Sequence, residues 1–237
     1  MSRSHQDRVA VVTGAAGALG SHFARRLAAE GCHVAIADVA PADEVVAQID
    51  ALGRKAYAEV CDLSDARAVR RFAGAVLERF GRCDILVNNA AYMPLVPLAE
   101  LTLEEFRRFE AINVEAPLLL AQMLSPDMAR RGYGRIVQIA SSTVGNPMPG
   151  FAAYITTKMA GIGLVRALAA ELGPKGIAVN AILCPDGSTV TEDQSTIRFP
   201  SGTTVAAPDG GVWSIAPEGG GIGWVLHGPG APCPPAT

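Results

Sequence analysis

The sequence predicts one α/β domain built on a doubly wound parallel sheet. Three observations predict it. Short apolar, β-branched runs alternate with longer segments of helical spacing through the first 185 residues. That alternation means parallel strands covered by helices on both faces. A glycine cluster, Gly14, Gly17 and Gly20, stands where the first run gives way to the first helical segment. The chain has 237 residues, 49% of them apolar, which is enough for one large core.

The elements follow in order. VAVVT at 9–13 reads as a buried strand, and SHFARRLAAE at 21–30 as a helix with Phe23 and Leu27 on one face. HVAIAD at 33–38 is a second strand. PADEVVAQIDALG carries a helix that ends near Gly53, and KAYAEVCD is a third strand. DARAVRRFAGAVLERFG is a helix closed by Gly81, where a left-handed residue ends helices well. CDILVNNA is a fourth strand. Residues 103–131 hold two helical patterns, the second rich in Leu118, Leu119, Leu120, Met123 and Leu124. GRIVQIASS at 134–142 is a fifth strand, a long helix spans 152–172, and IAVNAIL at 177–183 is a sixth strand. This places a Rossmann-type domain over residues 1–185. The remaining 52 residues, 186–237, contain 10 Gly, 7 Pro, no Lys and one Arg, Arg198, and helical periodicity disappears. They read as an atypical, irregular C-terminal segment.

Charge and cysteine usage exclude several classes. The net charge is −3 and no basic run occurs, so neither nucleic acid nor an anionic membrane is an expected partner. No unbroken apolar stretch is long enough to span a bilayer. The N-terminal residues are polar and run straight into a strand, so they do not read as a signal peptide. The cysteines, Cys32, Cys61, Cys83, Cys184 and Cys233, are odd in number and lack C-x-x-C spacing. A cytoplasmic protein with reduced thiols and no metal site is expected.

The glycines at the first strand–helix turn let backbone N–H groups approach a pyrophosphate, and the helix N-terminus adds its partial positive charge. Asp38 ends the second strand, 18 residues after Gly20. A carboxylate there accepts hydrogen bonds from ribose hydroxyls and repels a 2′-phosphate, which favours NAD over NADP. It can also cap the following turn. Asp62 can face an adenine or cap the helix that begins near Ser64. Asn88 and Asn89 end the fourth strand, where their amides need partners.

Tyr154 and Lys158 lie four apart on the long helix, hence on one face, and Ser141 lies 13 residues before Tyr154. A tyrosine ordinarily titrates near ~10, and a neighbouring ammonium favours its phenolate. Such a pair can move the proton of an alcohol whose carbon gains or loses a hydride. Ser141 can hold the substrate oxygen, and Asn113, polar in an apolar helical pattern, can position a water.

Through TGAAGALG, Asp38, Asp62, NNAA, Asn113, IVQIASS, YITTK and VNAILCP the chain resembles the short-chain dehydrogenases/reductases over about residues 6–185. The resemblance implies a catalytic set of Asn113, Ser141, Tyr154 and Lys158. It implies a nicotinamide dinucleotide held by Gly14, Gly17, Leu19, Gly20, Asp38, Asp62, Leu63, Asn89, Ala90, Tyr154, Lys158 and Pro185. It also implies a homotetramer or dimer, with Ala160, Gly161 and Gly163 suited to close helix approach. Several stretches resemble bacterial dehydrogenases of 1-phenylethanol-type secondary alcohols. They imply a mostly apolar substrate pocket from Tyr92, Met93, Thr143 and Met148 beside Ser141 and Tyr154.

Two departures from the family pattern stand out. Ala18 replaces a usual glycine. After Cys184-Pro185 neither the amphipathic lid helix nor the seventh strand of the family is recognisable. A shifted reading frame in a GC-rich gene would produce that pattern, as would a variant whose site a second subunit completes. The leading expectation is an NAD-dependent oxidoreductase of a secondary alcohol or ketone. The alternatives are a 3-oxoacyl carrier-protein reductase, for which Arg130-Arg131 is the candidate docking pair, and a dinucleotide-binding protein inactive because of its C-terminus.

Overall fold

The computed structural model describes residues 5–145 and 147–184, together with the backbone of four short strands at 189–190, 197–198, 204–206 and 212–214. Six strands form the main sheet: β1 (Val9–Thr13), β2 (His33–Asp38), β3 (Ala56–Val60), β4 (Ile85–Asn88), β5 (Gly134–Ser141) and β6 (Ile177–Cys184). Their order is β3-β2-β1-β4-β5-β6, and every neighbouring pair is parallel. This is the doubly wound sheet expected from the alternation of patterns. Strand order reverses between β1 and β4, and ligands of such sheets bind beyond the carboxyl ends of the strands at that reversal.

The two-residue period of the strands sorts the core onto two faces. Ala10, Val12, Val34, Ile36, Ile85 and Val87 pack toward α1 (Ala18–Ala29) and α2 (Asp43–Ala51). Val9, Val11, Leu86, Ile136 and Val179 point the other way. They meet Val69, Phe72 and Val76 of α3 (Ala66–Phe80), Leu120, Leu124 and Met128 of α5 (Ala116–Arg130), and Val165 of α6 (Ala152–Leu172). The four further strands form two antiparallel pairs, β7 (Thr189–Val190) with β8 (Ile197–Arg198) and β9 (Thr204–Ala206) with β10 (Val212–Ser214). Apart from these, the expected irregular segment at 186–237 lies outside the described residues.

Three local features differ from the sequence expectation. The first helix starts at Ala18, three residues earlier, with Gly17 as its N-cap. Asp65, not Asp62, caps α3 by accepting the Arg67 N–H at 2.8 Å. Asp62 instead accepts the N–H and hydroxyl of Ser64, and those two bonds hold its carboxyl below the ordinary carboxylate range. Finally, α4 (Leu103–Glu110) and α5 do not separate. One π-helical turn, Ala111–Glu115, joins them and carries the buried Asn113.

The rim of the sheet at the amino ends of the strands is sealed by charge. Asp84, fully buried, accepts the Val9 N–H at 2.8 Å and pairs with Arg82 and Arg131. Asp127 of α5 pairs with Arg130 and Arg131 and accepts the Cys83 N–H at 3.2 Å. Burial pushes both carboxyls upward, but the arginines and backbone donors outweigh it and leave both below the ordinary value. A folded value below the unfolded ~3.9 means that the unfolded chain binds more protons in the interval between them. This stabilisation is complete above the unfolded value and lost as pH falls through the folded one. The urea midpoint should therefore hold from pH 8 to about 5 and decline steeply below about 4. In Asp84→Asn the midpoint should be lower at pH 7, and its acid decline shallower.

Candidate active site

The crevice above β1 and β4 is built from glycine first. Gly14 adopts φ +70°, in the left-handed region, and a Cβ there would lie 2.8 Å from Ala90 Cα. At Gly20 a Cβ would lie 2.2 Å from the Gly14 carbonyl oxygen. The strand-to-helix turn thus passes against the end of β4 at a separation that only glycine permits. Gly17 caps α1 with extended backbone, no side-chain acceptor and no acidic residue in the first turn. The first-turn N–H groups are suited to an anion. Leu19 is half-buried beside them, and Leu63 is buried in the core beneath α3.

The end of β4 is braced onto that turn. Thr13 Oγ1 accepts the N–H groups of Asn89 and Ala90, both at 3.0 Å. The Asn89 amide donates to the carbonyls of Thr13 (2.9 Å) and Gly14 (3.1 Å). Asp38 closes the outer side, accepting the Ala16 N–H at 2.8 Å and the Ala40 N–H at 3.0 Å. Its carboxylate therefore serves the glycine turn and caps the following turn at once. Each oxygen retains a further lone pair for a ligand hydroxyl.

Next to this crevice α6 presents Tyr154 and Lys158, both buried. The Lys158 ammonium lies 5.4 Å from the centroid of the Tyr154 ring and donates to the Ile139 carbonyl of β5 at 2.8 Å. Ser141 is the last residue of β5. Its Oγ accepts the Thr143 N–H at 3.2 Å and the Thr143 hydroxyl at 2.9 Å. The Thr143 N–H can only donate to Ser141 Oγ, and when the Thr143 hydroxyl donates as well, the Ser141 proton is left for another acceptor. Thr143 is itself only 3% exposed, so it touches Ser141 from beneath.

Asn113 faces Thr157, the residue before Lys158, and the backbone of Tyr92. Its Oδ1 accepts the Tyr92 N–H at 2.8 Å, and its Nδ2 donates to Tyr92 O and Thr157 Oγ1, both at 3.0 Å. All the donors of this amide are consumed by protein groups. The Tyr92 ring packs edge-on against Phe109 at 4.9 Å under the Arg108 guanidinium, and its hydroxyl donates to Glu105 at 2.6 Å. Its ring is thus occupied by α4. The Glu105 carboxylate raises the Tyr92 hydroxyl above its ordinary value. Met93, Leu95 and Met148 remain exposed at 55%, 62% and 41%. Pro185 lies outside the described residues.

The short chain dehydrogenase family matches residues 8–198. The chain belongs to this family. It is 35% identical over 179 residues to dehydrogenase/reductase SDR family member 4 of Homo sapiens, covering 74% of this chain and 64% of that protein. The chain thus spans under two thirds of the length of this relative. Among solved structures, NAD+-bound xylitol dehydrogenase superposes with a TM-score of 0.72 at 34% identity, covering 77% of this chain and 71% of that one. A metagenomic short-chain oxidoreductase in complex with NADP gives 0.72 at 36%, covering 78% and 84%.

Three residues around this site have partners that the sequence does not announce, although Thr13 and Thr157 stand inside TGAAGALG and YITTK. Thr13 looks like one more β-branched strand residue, Thr157 like filler between Tyr154 and Lys158, and Glu105 like a charge in the first turn of α4. Only spatial pairing exposes their roles. Among the described residues no group of three His, Cys, Asp or Glu side chains could hold a metal ion. None of the described helices is long and apolar enough to cross a membrane.

The glycine geometry makes a graded prediction. Gly20→Ala should lower stability by about 1–3 kcal/mol in urea unfolding, since its Cβ meets backbone that cannot yield. It should also weaken dinucleotide binding. At Gly17 the nearest atom to a Cβ is Gly14 O at 3.5 Å, an ordinary contact, so Gly17→Ala should unfold within about 1 kcal/mol of wild type.

Proposed function

We propose that this short-chain dehydrogenase is an oxidoreductase that transfers a hydride between NAD(H) and a secondary alcohol or ketone, apolar or aryl in character. The observation that carries the reading is a glycine crevice shaped by Gly14 and Gly20, together with buried Tyr154 and Lys158 on α6 and buried Ser141 at the end of β5, the strand whose Ile139 carbonyl Lys158 holds. The crevice fits a dinucleotide, because glycine backbone and the uncapped start of α1 suit a pyrophosphate. Gly14, Gly17, Leu19 and Gly20 would hold the phosphates, Asp38 the adenosine ribose, and Asp62 and Leu63 the adenine. Asn89, Ala90 and Lys158 would hold the nicotinamide end. When bound, the cofactor accepts or supplies the hydride at the carbinol carbon.

The protein's own residues handle the oxygen. Tyr154 takes the alcohol proton in oxidation and returns it in reduction. The Lys158 ammonium favours the phenolate of Tyr154. Ser141, its Oγ already accepting two bonds from Thr143, donates its proton to the substrate oxygen and stabilises charge that develops there.

Asp38 supports NAD over NADP, since a carboxylate repels a 2′-phosphate. Residues 39–53 contain no Lys or Arg, and Arg54 is turned to Asp7 at 2.6 Å. The exposed Met93, Leu95 and Met148 support an apolar substrate. Likeness to xylitol dehydrogenase supports a polyol as the second reading. Assembly as a homotetramer or dimer in the cytoplasm belongs to the same proposal. It draws on Gly163, where a Cβ would meet nothing within 4 Å, whereas Gly161 faces Gln138 inside the subunit.

Fluorescence titration should show saturable NADH binding with NADPH at least about tenfold weaker, and Asp38→Ser should narrow that gap about tenfold. A panel of aryl carbinols and polyols should give turnover with the carbinols. Tyr154→Phe should then reduce kcat by about 10²–10⁴ with little change in NADH affinity. No binding of either dinucleotide, or full activity in Tyr154→Phe, would defeat the proposal.

A further inference from the structure

Residues 89–92 leave the sheet at the carboxyl end of β4 and have no ladder to satisfy their backbone. At one end Thr13 and the Asn89 amide fasten this strap to the glycine turn. At the other end the Asn113 amide grips Tyr92 by both its N–H and its carbonyl. This second fastening needs its own anchor, because Asn113 sits in a π-helical turn whose hydrogen bonding departs from the regular helix.

Thr157 supplies that anchor. It is 1% exposed, and its hydroxyl has two neighbours. One is the Tyr154 carbonyl at 2.9 Å, which can only accept, so Thr157 donates its proton there. The other is Asn113 Nδ2 at 3.0 Å, which can only donate. The amide orientation is fixed by the same contacts, since a flip would set Oδ1 against the Tyr92 carbonyl. Every proton in the chain Tyr92–Asn113–Thr157–Tyr154 is therefore assigned. The chain joins the strap to the helical turn that bears the proton-transfer tyrosine and its lysine neighbour.

We infer that Thr157 is a positioning residue: through Asn113 it sets the 89–92 strap at a fixed distance from the Tyr154–Lys158 turn of α6. The inference rests on the hydride-transfer reading of this site for its consequence in rate. The strap carries Asn89 and Ala90, which in that reading would hold the nicotinamide end, so displacing it would slow the reaction while leaving the Asp38 end of the crevice untouched. A valine at 157 keeps the shape and removes the hydroxyl, stranding one buried Asn113 N–H, while the Tyr154 carbonyl keeps its place in the backbone ladder of α6. A serine keeps the hydroxyl.

The test compares Thr157→Val, Thr157→Ser and Asn113→Ala with wild type by amide hydrogen exchange over residues 89–96 and by steady-state kinetics. Thr157→Val should speed exchange at Tyr92 at least about tenfold and lower kcat by about 10–100-fold, with KM for NADH changed less than about threefold. Thr157→Ser should restore both. On the Asn113→Ala background, Thr157→Val should add less than about twofold in either readout. Wild-type exchange in Thr157→Val, equal losses in the valine and serine variants, or a full additional loss on the Asn113→Ala background would each overturn the inference. Absence of turnover by wild type would count against the proposed activity alone, because the exchange comparison still decides the role of Thr157.

Discussion

The constraint on which the site depends is the unfinished hydrogen bonding where parallel strands end. In the interior of β1 and β4 the ladder pairs the backbone. At their carboxyl ends the chain turns away, and buried N–H and C=O groups must find other partners or cost about 1–3 kcal/mol each. Thr13, Asn89 and Asn113 supply those partners, and Thr157 anchors Asn113. Their side chains do for residues 89–92 what a neighbouring strand does inside the sheet. Because the same bonds tie the glycine turn to α6, the glycine crevice and the Tyr154–Lys158 turn form one braced unit. A site held in this way is pre-organised, as the hydride transfer proposed above requires.

The two rims of the sheet solve different problems. At the carboxyl rim, neutral threonine and asparagine side chains satisfy the backbone, and the acidic Asp38 is confined to the outer edge. At the amino rim, Asp84 and Asp127 with their arginines serve as fasteners, joining β1, β4 and α5 through charge-assisted bonds. Truncating one partner of such a buried pair leaves the other charge stranded, so the amino rim contributes rigidity at a distance from the chemistry. Between the rims the alternating strands supply the apolar layers, and these set the height of α6 above the sheet.

Much of this was legible in the sequence. The six strands declared themselves because strands buried on both faces are continuous β-branched or alanine-rich runs, as in VAVVT and HVAIAD. The long helix at 152–172 matched its observed bounds, Ala152–Leu172, since Gly173 ends a long stretch of good helix formers. The placement of Tyr154 and Lys158 one turn apart on α6, and of Ser141 at the end of β5, was readable from their spacing. The π turn was not readable. Residues 111–115, AINVE, are ordinary helix formers, and the departure goes with an asparagine side chain held by tertiary bonds. The α3 cap was misplaced for a related reason. DLSD offers two aspartates able to accept from a nearby N–H, and only the chain direction chooses Asp65. Arg54 is buried and donates to Asp7 and the Cys32 carbonyl. Sequence spacing carries no information about such a turned side chain. Tyr92 was read as a pocket wall from its place after the NNAA motif, whereas its ring and hydroxyl are taken up by Phe109 and Glu105 across a loop that spacing alone does not close.

In the function proposed above, the carboxyl rim around β1 and β4 is a dinucleotide site continuous with the Tyr154–Lys158 turn. The most direct test is the footprint of NADH in amide hydrogen exchange on the intact chain. At saturating NADH, exchange should slow over residues 13–20, 38–40 and 89–92 and at the start of α6, with no change around Asp84, Asp127 and Arg131 at the opposite rim. Unchanged exchange over 13–20 and 89–92, or protection centred on the opposite rim, would contradict the account.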